Sequence, residues 1–264
     1  MNKQQIILSA LFSLLVASVL FYTNSSARQK TVYASAGEIT GTSTIQGSGM
    51  ISFNFDDGFE SSYINALPIF DRAGFKTTQY VITGRFKTAG YVNEQQVLHM
   101  AAEGHEIGAH TRTHPHLSQL TQEQLVNEIA GSRQDLQGIG VTTVTSFAYP
   151  YGDENQKTEN AVQLAGFSNA RSTKYGLNDK NSDPFSLKFE SVTAQSKFEK
   201  IKSAIDQAIS EKKWLILVFH RTNEEGKSMS AHHELIQQIV DYVKQQGVRV
   251  VTNSEGVKIM NTIH

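Results

Sequence analysis

From Met50 onward, short apolar runs alternate with longer amphipathic ones, and this alternation limits the possible folds more than any other feature of the chain. The period predicts strands over 50–55, 77–83, 105–109, 144–148, 167–170, 214–219 and 248–251. Between them it predicts helices over 61–73, 93–103, 121–138, 155–165, 196–212 and 232–246. Thr121 has the chemistry of an N-cap, with acidic Glu123 in the turn behind it. Strand and helix in strict alternation call for a parallel sheet or a barrel of βα units. The polar residues favour the barrel. Asp56 and Asp57 end the first strand, His110 follows the third, Tyr149–Gly152 follows another, and His220 ends the run Leu215–Phe219. Barrel enzymes collect their chemistry from such C-terminal strand ends.

Two of these strand ends carry metal chemistry. His110-Thr-Arg-Thr-His114 sets two imidazoles four residues apart, a spacing that one turn of helix would bring to a common face, although Pro115 limits any continuation. Phe55-Asp56-Asp57-Gly58 supplies two adjacent carboxylates. Catalytic zinc commonly takes three protein ligands and keeps a position open for water. Two His and one Asp meet that count and leave a second Asp as a base. Because successive residues of an extended strand point apart, one carboxylate is assigned to the metal (Asp57) and the other to proton abstraction (Asp56). His105 and His116 read as structural or exposed imidazoles. Tyr149 and Tyr151 are candidates to line a groove beside these residues, whereas Trp214 begins a buried strand and is assigned to the core.

Composition narrows the setting. The 264 residues are 39% hydrophobic and 19% charged, with a net charge of -1, enough for one sizeable core and no reason to expect nucleic acid or an anionic membrane surface as partner. There is no Cys, which excludes disulfides, thiolate ligands, a thiol nucleophile and a Cys-linked lipid. Ile6–Phe21 is almost wholly apolar after a start with a single Lys, and small residues follow at Ser25-Ser26-Ala27, with Ala34-Ser35-Ala36 farther out. The segment 1–27 reads as a secretory signal, with an uncleaved anchor as the alternative. Either places the remainder outside the cytoplasm, secreted or held at a membrane. Residues 28–47, rich in Ser, Thr, Gly and Ala, read as a linker, and 48–262 as one catalytic domain.

The motifs together resemble those of the polysaccharide deacetylase family, the NodB homology domain of carbohydrate esterase family 4. Asn54-Phe55-Asp56-Asp57-Gly58 is similar to its first motif, with Asn in place of Thr, and His110–His114 matches its second, His-Ser/Thr-x-x-His. Pro150-Tyr151-Gly152 resembles the third, and Leu215–His220 the last. The resemblance implies a distorted (β/α) barrel of fewer than eight units and a divalent metal, usually zinc, with cobalt, nickel or manganese as alternatives. It implies that Asp57, His110 and His114 hold the metal, Asp56 is the base, His220 the general acid, and the Tyr151 backbone N–H an oxyanion donor. It further implies N-deacetylation of an N-acetylglucosamine polymer such as chitin-type oligomers, peptidoglycan or an exopolysaccharide. O-deacetylation of acetylated xylan and an inactive sugar-binding module are the competing readings. One departure stands out: the third motif often opens with an Arg that braces the catalytic Asp, and this chain has Ala148 there. Arg171, at the next strand end, is a candidate replacement. No supporting carboxylate for His220 is evident; Asp179 and Asp183 are the available ones.

Overall fold

The computed structural model describes residues 49–262, so the expected signal at 1–27 and linker at 28–47 lie outside the described residues. Seven parallel strands form the wall: β1 (Met50–Phe55), β2 (Thr78–Val81), β3 (Glu106–Ala109), β4 (Ser146–Ala148), β5 (Asn169–Tyr175), β6 (Leu187–Ser191) and β7 (Trp214–Phe219). They pair in chain order, and β7 returns to β1 along its full length, Met50 opposite Trp214 through Phe55 opposite Phe219. The sheet therefore closes into a (β/α) barrel of seven full strands, and closure removes both exposed edges. Helices α1 (Leu67–Ala73), α2 (Glu94–Ala102), α3 (Gln122–Gly138), α4 (Gln156–Leu164), α5 (Phe198–Ser210) and α6 (His233–Gln246) accompany the wall, and α7 (Asn253–Thr262) ends the described chain. Two short strands, β8 (Arg221–Thr222) and β9 (Ser230–Ala231), pair in the loop after β7. A last strand, β10 (Arg249–Val250), pairs with the first two residues of β1, while β2 pairs with its last two.

Strand alternation decides what faces where. Ile51, Phe53 and Phe55, with Leu215, Leu217 and Phe219, pack outward against Ile69 and Phe70 of α1, Ile201 and Ile205 of α5, and Ile236 and Val240 of α6. Val81, Ile107 and Phe147 do the same beneath α2, α3 and α4. The inward residues are unusually polar: Ser52, Asn54, Thr78, Tyr80, Ser146, Asn169 and Arg171 are all buried. Space inside is tight. A Cβ on Gly108 would lie 2.5 Å from the Tyr80 ring, so only glycine lets that ring cross the lumen.

Several expectations needed correction. The strand at 167–170 is β5, which begins later and runs to Tyr175. β6 and α7 were not expected at all. β6 is short and only alternately buried, which weakens its apolar signal. α7 is opened by Thr252 and Glu255, whose N–H and carboxylate bond at 2.8 Å, a Thr-x-x-Glu pattern readable in the sequence. Its first turn plugs the N-terminal mouth of the barrel: Asn253 Nδ2 donates to Tyr80 Oη at 2.8 Å, and Ser254 N–H donates to Glu106 at 3.1 Å. The helical turn expected over 110–114 is absent. Thr111 and His114 both have φ of 66°, which no right-handed helix contains, and the segment is a loop.

Candidate active site

β1 ends in a reversal that separates the two carboxylates. Asp56 still belongs to the ladder, its N–H donating to Phe219 O at 2.9 Å, and its side chain is buried. Asp57 has φ of 69° and Gly58 φ of 70°, so the chain turns there and presents the Asp57 carboxylate at the rim. Asp57 Oδ1 lies 3.5 Å from His110 Nε2 and 3.4 Å from His114 Nε2, and the two imidazole nitrogens are 3.2 Å apart. Three ligands at tetrahedral zinc distances of ~2.0–2.1 Å would sit about 3.3 Å from one another, so this triangle has the size of one face of such a site. His110 Nδ1–H donates to Ala148 O at 2.7 Å, which fixes the tautomer and leaves Nε2 facing the cluster. The donor set fits a divalent cation.

The charges agree with that fit. Burial would raise the Asp57 carboxyl, but its hydrogen bond to His110 and the positive field of His110, His220 and His114 outweigh burial and hold it at about 2. Burial, helped by the neighbouring His110, lowers His114 to about 4 against the pull of Asp57 and Asp56. His110 is also opposed by burial, yet the bond to Asp57, the charges of Asp56 and Asp57, and the Ala148 carbonyl raise it. The bond between His110 and Asp57 thus favours the charged form of each. A cation taken up there displaces the His110 proton.

The loop carrying the imidazoles is held from α3. Glu128 Oε2 accepts from the N–H groups of Arg112 and Thr113, each at 2.9 Å, and Oε1 accepts from Thr113 Oγ1 at 2.7 Å. Asp135 receives Arg112 Nε at 2.8 Å and Nη2 at 2.6 Å, together with Thr83 Oγ1 at 2.7 Å. The sequence reading missed this brace, although a charged Glu128 beside Ile129 on the apolar stripe of α3 was the visible signal.

Arg171 reaches Asp56. Its Nη2 donates to Asp56 Oδ2, Nη1 donates to Ser172 O at 2.9 Å, and the guanidinium lies between the rings of Phe189 and Tyr80, 5.2 and 5.6 Å from their centroids. Ala148 is the register partner of Arg171, so both side chains project to the same side of the wall at the same height. The position that lacks arginine and the one that has it are neighbours. His220 Nε2 stands 3.8 Å from Asp56 Oδ2. Burial lowers His220, and the field of Arg171 and His110 adds to that, against Asp56 and Asp57. Its Nδ1 is buried and has no partner among the described residues. Asp179 and Asp183, the carboxylates considered for that nitrogen, instead line a separate surface depression beside Lys174 and Lys188.

Tyr151 sits at the opposite rim with φ of 58°, its ring 4.5 Å from His114 and stacked on His116 at 4.2 Å. Tyr149 is buried, as is Trp214, whose Nε1 donates to Ser52 Oγ at 2.9 Å. His105 bonds Thr77 and Asp71 away from the site. Asp56, Asp57, His110, His114, Tyr151, Arg171 and His220 all line one cleft of about 790 Å³ at the C-terminal mouth of the barrel.

Barrel, mouth and donor triangle define a (β/α)-barrel protein with, among the described residues, one candidate rim-mounted cation site. Residues 44–170 match the family model described as polysaccharide deacetylase. Over those residues the chain is similar to the polysaccharide deacetylase family. It is 28% identical over 137 residues to the Bacillus subtilis protein named "Putative polysaccharide deacetylase YxkH", covering 52% of this chain and 49% of that one. It is 25% identical over 224 residues to a bifunctional xylanase/deacetylase of Pseudobutyrivibrio xylanivorans, covering 84% of this chain and 32% of the relative. The chain thus spans half or less of the length of these relatives. Its fold is similar to the Xyl-CE4 domain of a multidomain xylanase from the hindgut metagenome of Trinervitermes trinervoides, with a TM-score of 0.59 at 19% identity, over 80% of this chain and 91% of that one.

Proposed function

We propose that this protein is a metal-dependent hydrolase that removes N-acetyl groups from an N-acetylglucosamine-containing polysaccharide. The observation that carries the reading is the Asp57–His110–His114 triangle with a second, buried carboxylate beside it. Those three residues would hold a divalent ion, zinc by the nitrogen-rich donor set. When bound, it would polarise the acetyl carbonyl and acidify the attacking water. Asp56 Oδ1 is buried without a partner among the described residues and is the oxygen free to accept the water proton, while Arg171 occupies Oδ2 and fixes the carboxylate plane. Burial lowers His220, and the charges of Asp56 and Asp57 work against that, favouring the protonated form an acid needs. His220 and Asp56 adjoin, His220 Nε2 standing 3.8 Å from Oδ2 of that carboxylate. His220 then protonates the departing amine, and the Tyr151 N–H would serve as donor to the developing oxyanion, a donor of a kind worth ~3 kcal/mol.

A second reading, O-deacetylation of acetylated xylan, is supported by the similarity to the bifunctional xylanase/deacetylase, and the same residues would serve an ester. Ile6–Phe21 supports action outside the cytoplasm. The deciding experiment strips metal from the purified protein, reloads zinc or cobalt, and measures acetate release from N-acetylglucosamine oligomers and acetylated xylan beside Asp56→Asn. Metal-dependent release from the oligomers, lost in Asp56→Asn, is the expected result. Release from xylan alone moves the assignment to an esterase, and retention of activity in Asp56→Asn removes the base.

A further inference from the structure

β5 does something its neighbours do not. Its first three residues pair with β4, after which the register with β6 slips: Arg171 faces Leu187, but Tyr175, four residues on, faces Phe189, only two residues on. The surplus backbone forms a bulge between Arg171 and Tyr175, held by Ser172 Oγ, which donates to Leu187 O at 3.0 Å and accepts from Lys174 N–H at 3.1 Å. At its tip Tyr175 is 65% exposed, unusual for an aromatic on a barrel strand.

The ring is nevertheless fixed. One face lies on buried Phe189, with centroids 5.1 Å apart and planes 20° from parallel. Phe189 in turn lies under the Arg171 guanidinium at 5.2 Å, and Arg171 holds Asp56. Two stacking steps and one ion pair connect the exposed ring to the proposed base. The ring lines the cleft that holds Asp57, His110 and His114, as do the paired Glu190 and Lys200.

A flat, rigid, amphipathic ring edged by charged hydrogen-bonding groups matches one ligand chemistry well. The axial C–H face of a pyranose is apolar, and its hydroxyls lie around the edge, where a carboxylate and an ammonium can accept and donate. We propose that the open face of Tyr175 is the floor of a sugar subsite, taking a pyranose ring adjacent in the chain to the unit whose acetyl group reacts. The inference rests on the hydrolytic reading of the site and adds a requirement to it: the protein acts on an oligomer or polymer, and binding energy collected at Tyr175 positions the acetyl group at Asp56.

The test compares wild type with Tyr175→Ala, Tyr175→Leu and Tyr175→Phe. Leucine still covers Phe189 but lacks a flat face, whereas phenylalanine keeps it. Zinc-loaded enzyme is assayed on N-acetylglucosamine oligomers of increasing length, on acetylated xylo-oligomers and on a small aryl acetate ester that cannot span the cleft. Alanine and leucine are expected to raise KM for the longer oligomers about tenfold, equivalent to ~1.4 kcal/mol. The loss on the aryl ester should be far smaller, and phenylalanine should stay close to wild type. Loss of equal size on the aryl ester would mean that Tyr175 acts through Phe189 and Arg171 on the base, and would overturn the subsite. So would wild-type KM in the leucine variant. Calorimetric titration of chitotetraose and of acetylated xylotetraose into Asp56→Asn, with and without Tyr175→Leu, separates the two proposals. Affinity lost with Tyr175→Leu, in a protein whose parent releases no acetate, keeps the subsite and sinks the deacetylase. Binding of neither sugar, or binding indifferent to residue 175, sinks the subsite whatever the enzyme hydrolyses.

Discussion

Glu128 makes no contact with the proposed metal ligands, yet its loss should be felt first as a loss of metal. The loop from His110 to His114 contains two non-glycine residues in the left-handed region, Thr111 and His114, each at φ of 66°. Such conformations cost ~1–3 kcal/mol apiece and persist only when their surroundings enforce them. Glu128 supplies much of the enforcement through three hydrogen bonds of 2.9, 2.9 and 2.7 Å to Arg112 and Thr113. Bonds to a charged acceptor contribute ~1.5–3 kcal/mol each. Their sum overstates the effect of Glu128→Ala, because Thr113 is exposed and water can replace part of what it loses. A net ~2–3 kcal/mol is the reasonable expectation, and it falls on the loop rather than on the barrel. Expressed in binding, that is a ~30–100-fold rise in the zinc Kd, in the range seen when residues that orient ligands are removed. Glu128→Gln can keep all three contacts without the charge, so its Kd should rise only a few-fold. Chelator competition gives the Kd, and thermal unfolding with and without zinc gives an independent value through the metal-induced rise in Tm. Gln134→Ala, an exposed position on the same helix, is the control. If Glu128→Ala binds zinc as wild type does, the loop holds its own geometry and the reasoning fails.

Four further outcomes follow from the same structure. Arg171→Met leaves the buried Asp56 carboxylate without its partner and should cost ~3–5 kcal/mol in urea unfolding along with most of the activity. Because Ala148 is its register neighbour, the double variant Ala148→Arg/Arg171→Ala should be more active than Arg171→Ala alone, and no recovery would show that the two positions are not interchangeable. Gly108→Ala places a methyl 2.5 Å from the Tyr80 ring and should destabilise by ~1–3 kcal/mol; a loss within the error of the unfolding measurement would mean the lumen is looser than its geometry indicates. The hydrogen bonds from Arg112 hold Asp135 below the ordinary carboxylate value, so the stability it adds is present above about 3.8 and is lost as pH falls through its lowered folded value. The stability gap between wild type and Asp135→Asn should therefore narrow as unfolding is measured from neutral pH down to about 3. A gap independent of pH would show that the pair contributes shape and no charge.

The barrel and the residues at its mouth were legible in the sequence because both depend on local periodicity. A strand buried on both faces, such as β7, reads as six unbroken apolar residues, and a helix such as α3 announces its start with the Thr121 cap. Asp56, Asp57, His110, His114 and His220 were found by their positions at strand ends, where a barrel of either seven or eight units gathers its side chains. What the sequence could not supply was anything fixed by distance across the fold. The left-handed loop at 110–114 looked like a helical turn, since a four-residue His spacing is common to both and only contacts from Glu128 select between them. Arg171 was one candidate among loop residues until strand pairing set it beside Ala148 and against Asp56, 115 residues away in the chain. Tyr175 carried no signal at all. Its exposure comes from a register slip between β5 and β6, and register is a property of two strands together. Local pattern chose the elements and delivered the reactive groups to one end of the barrel; closure of the sheet decided which of them touch.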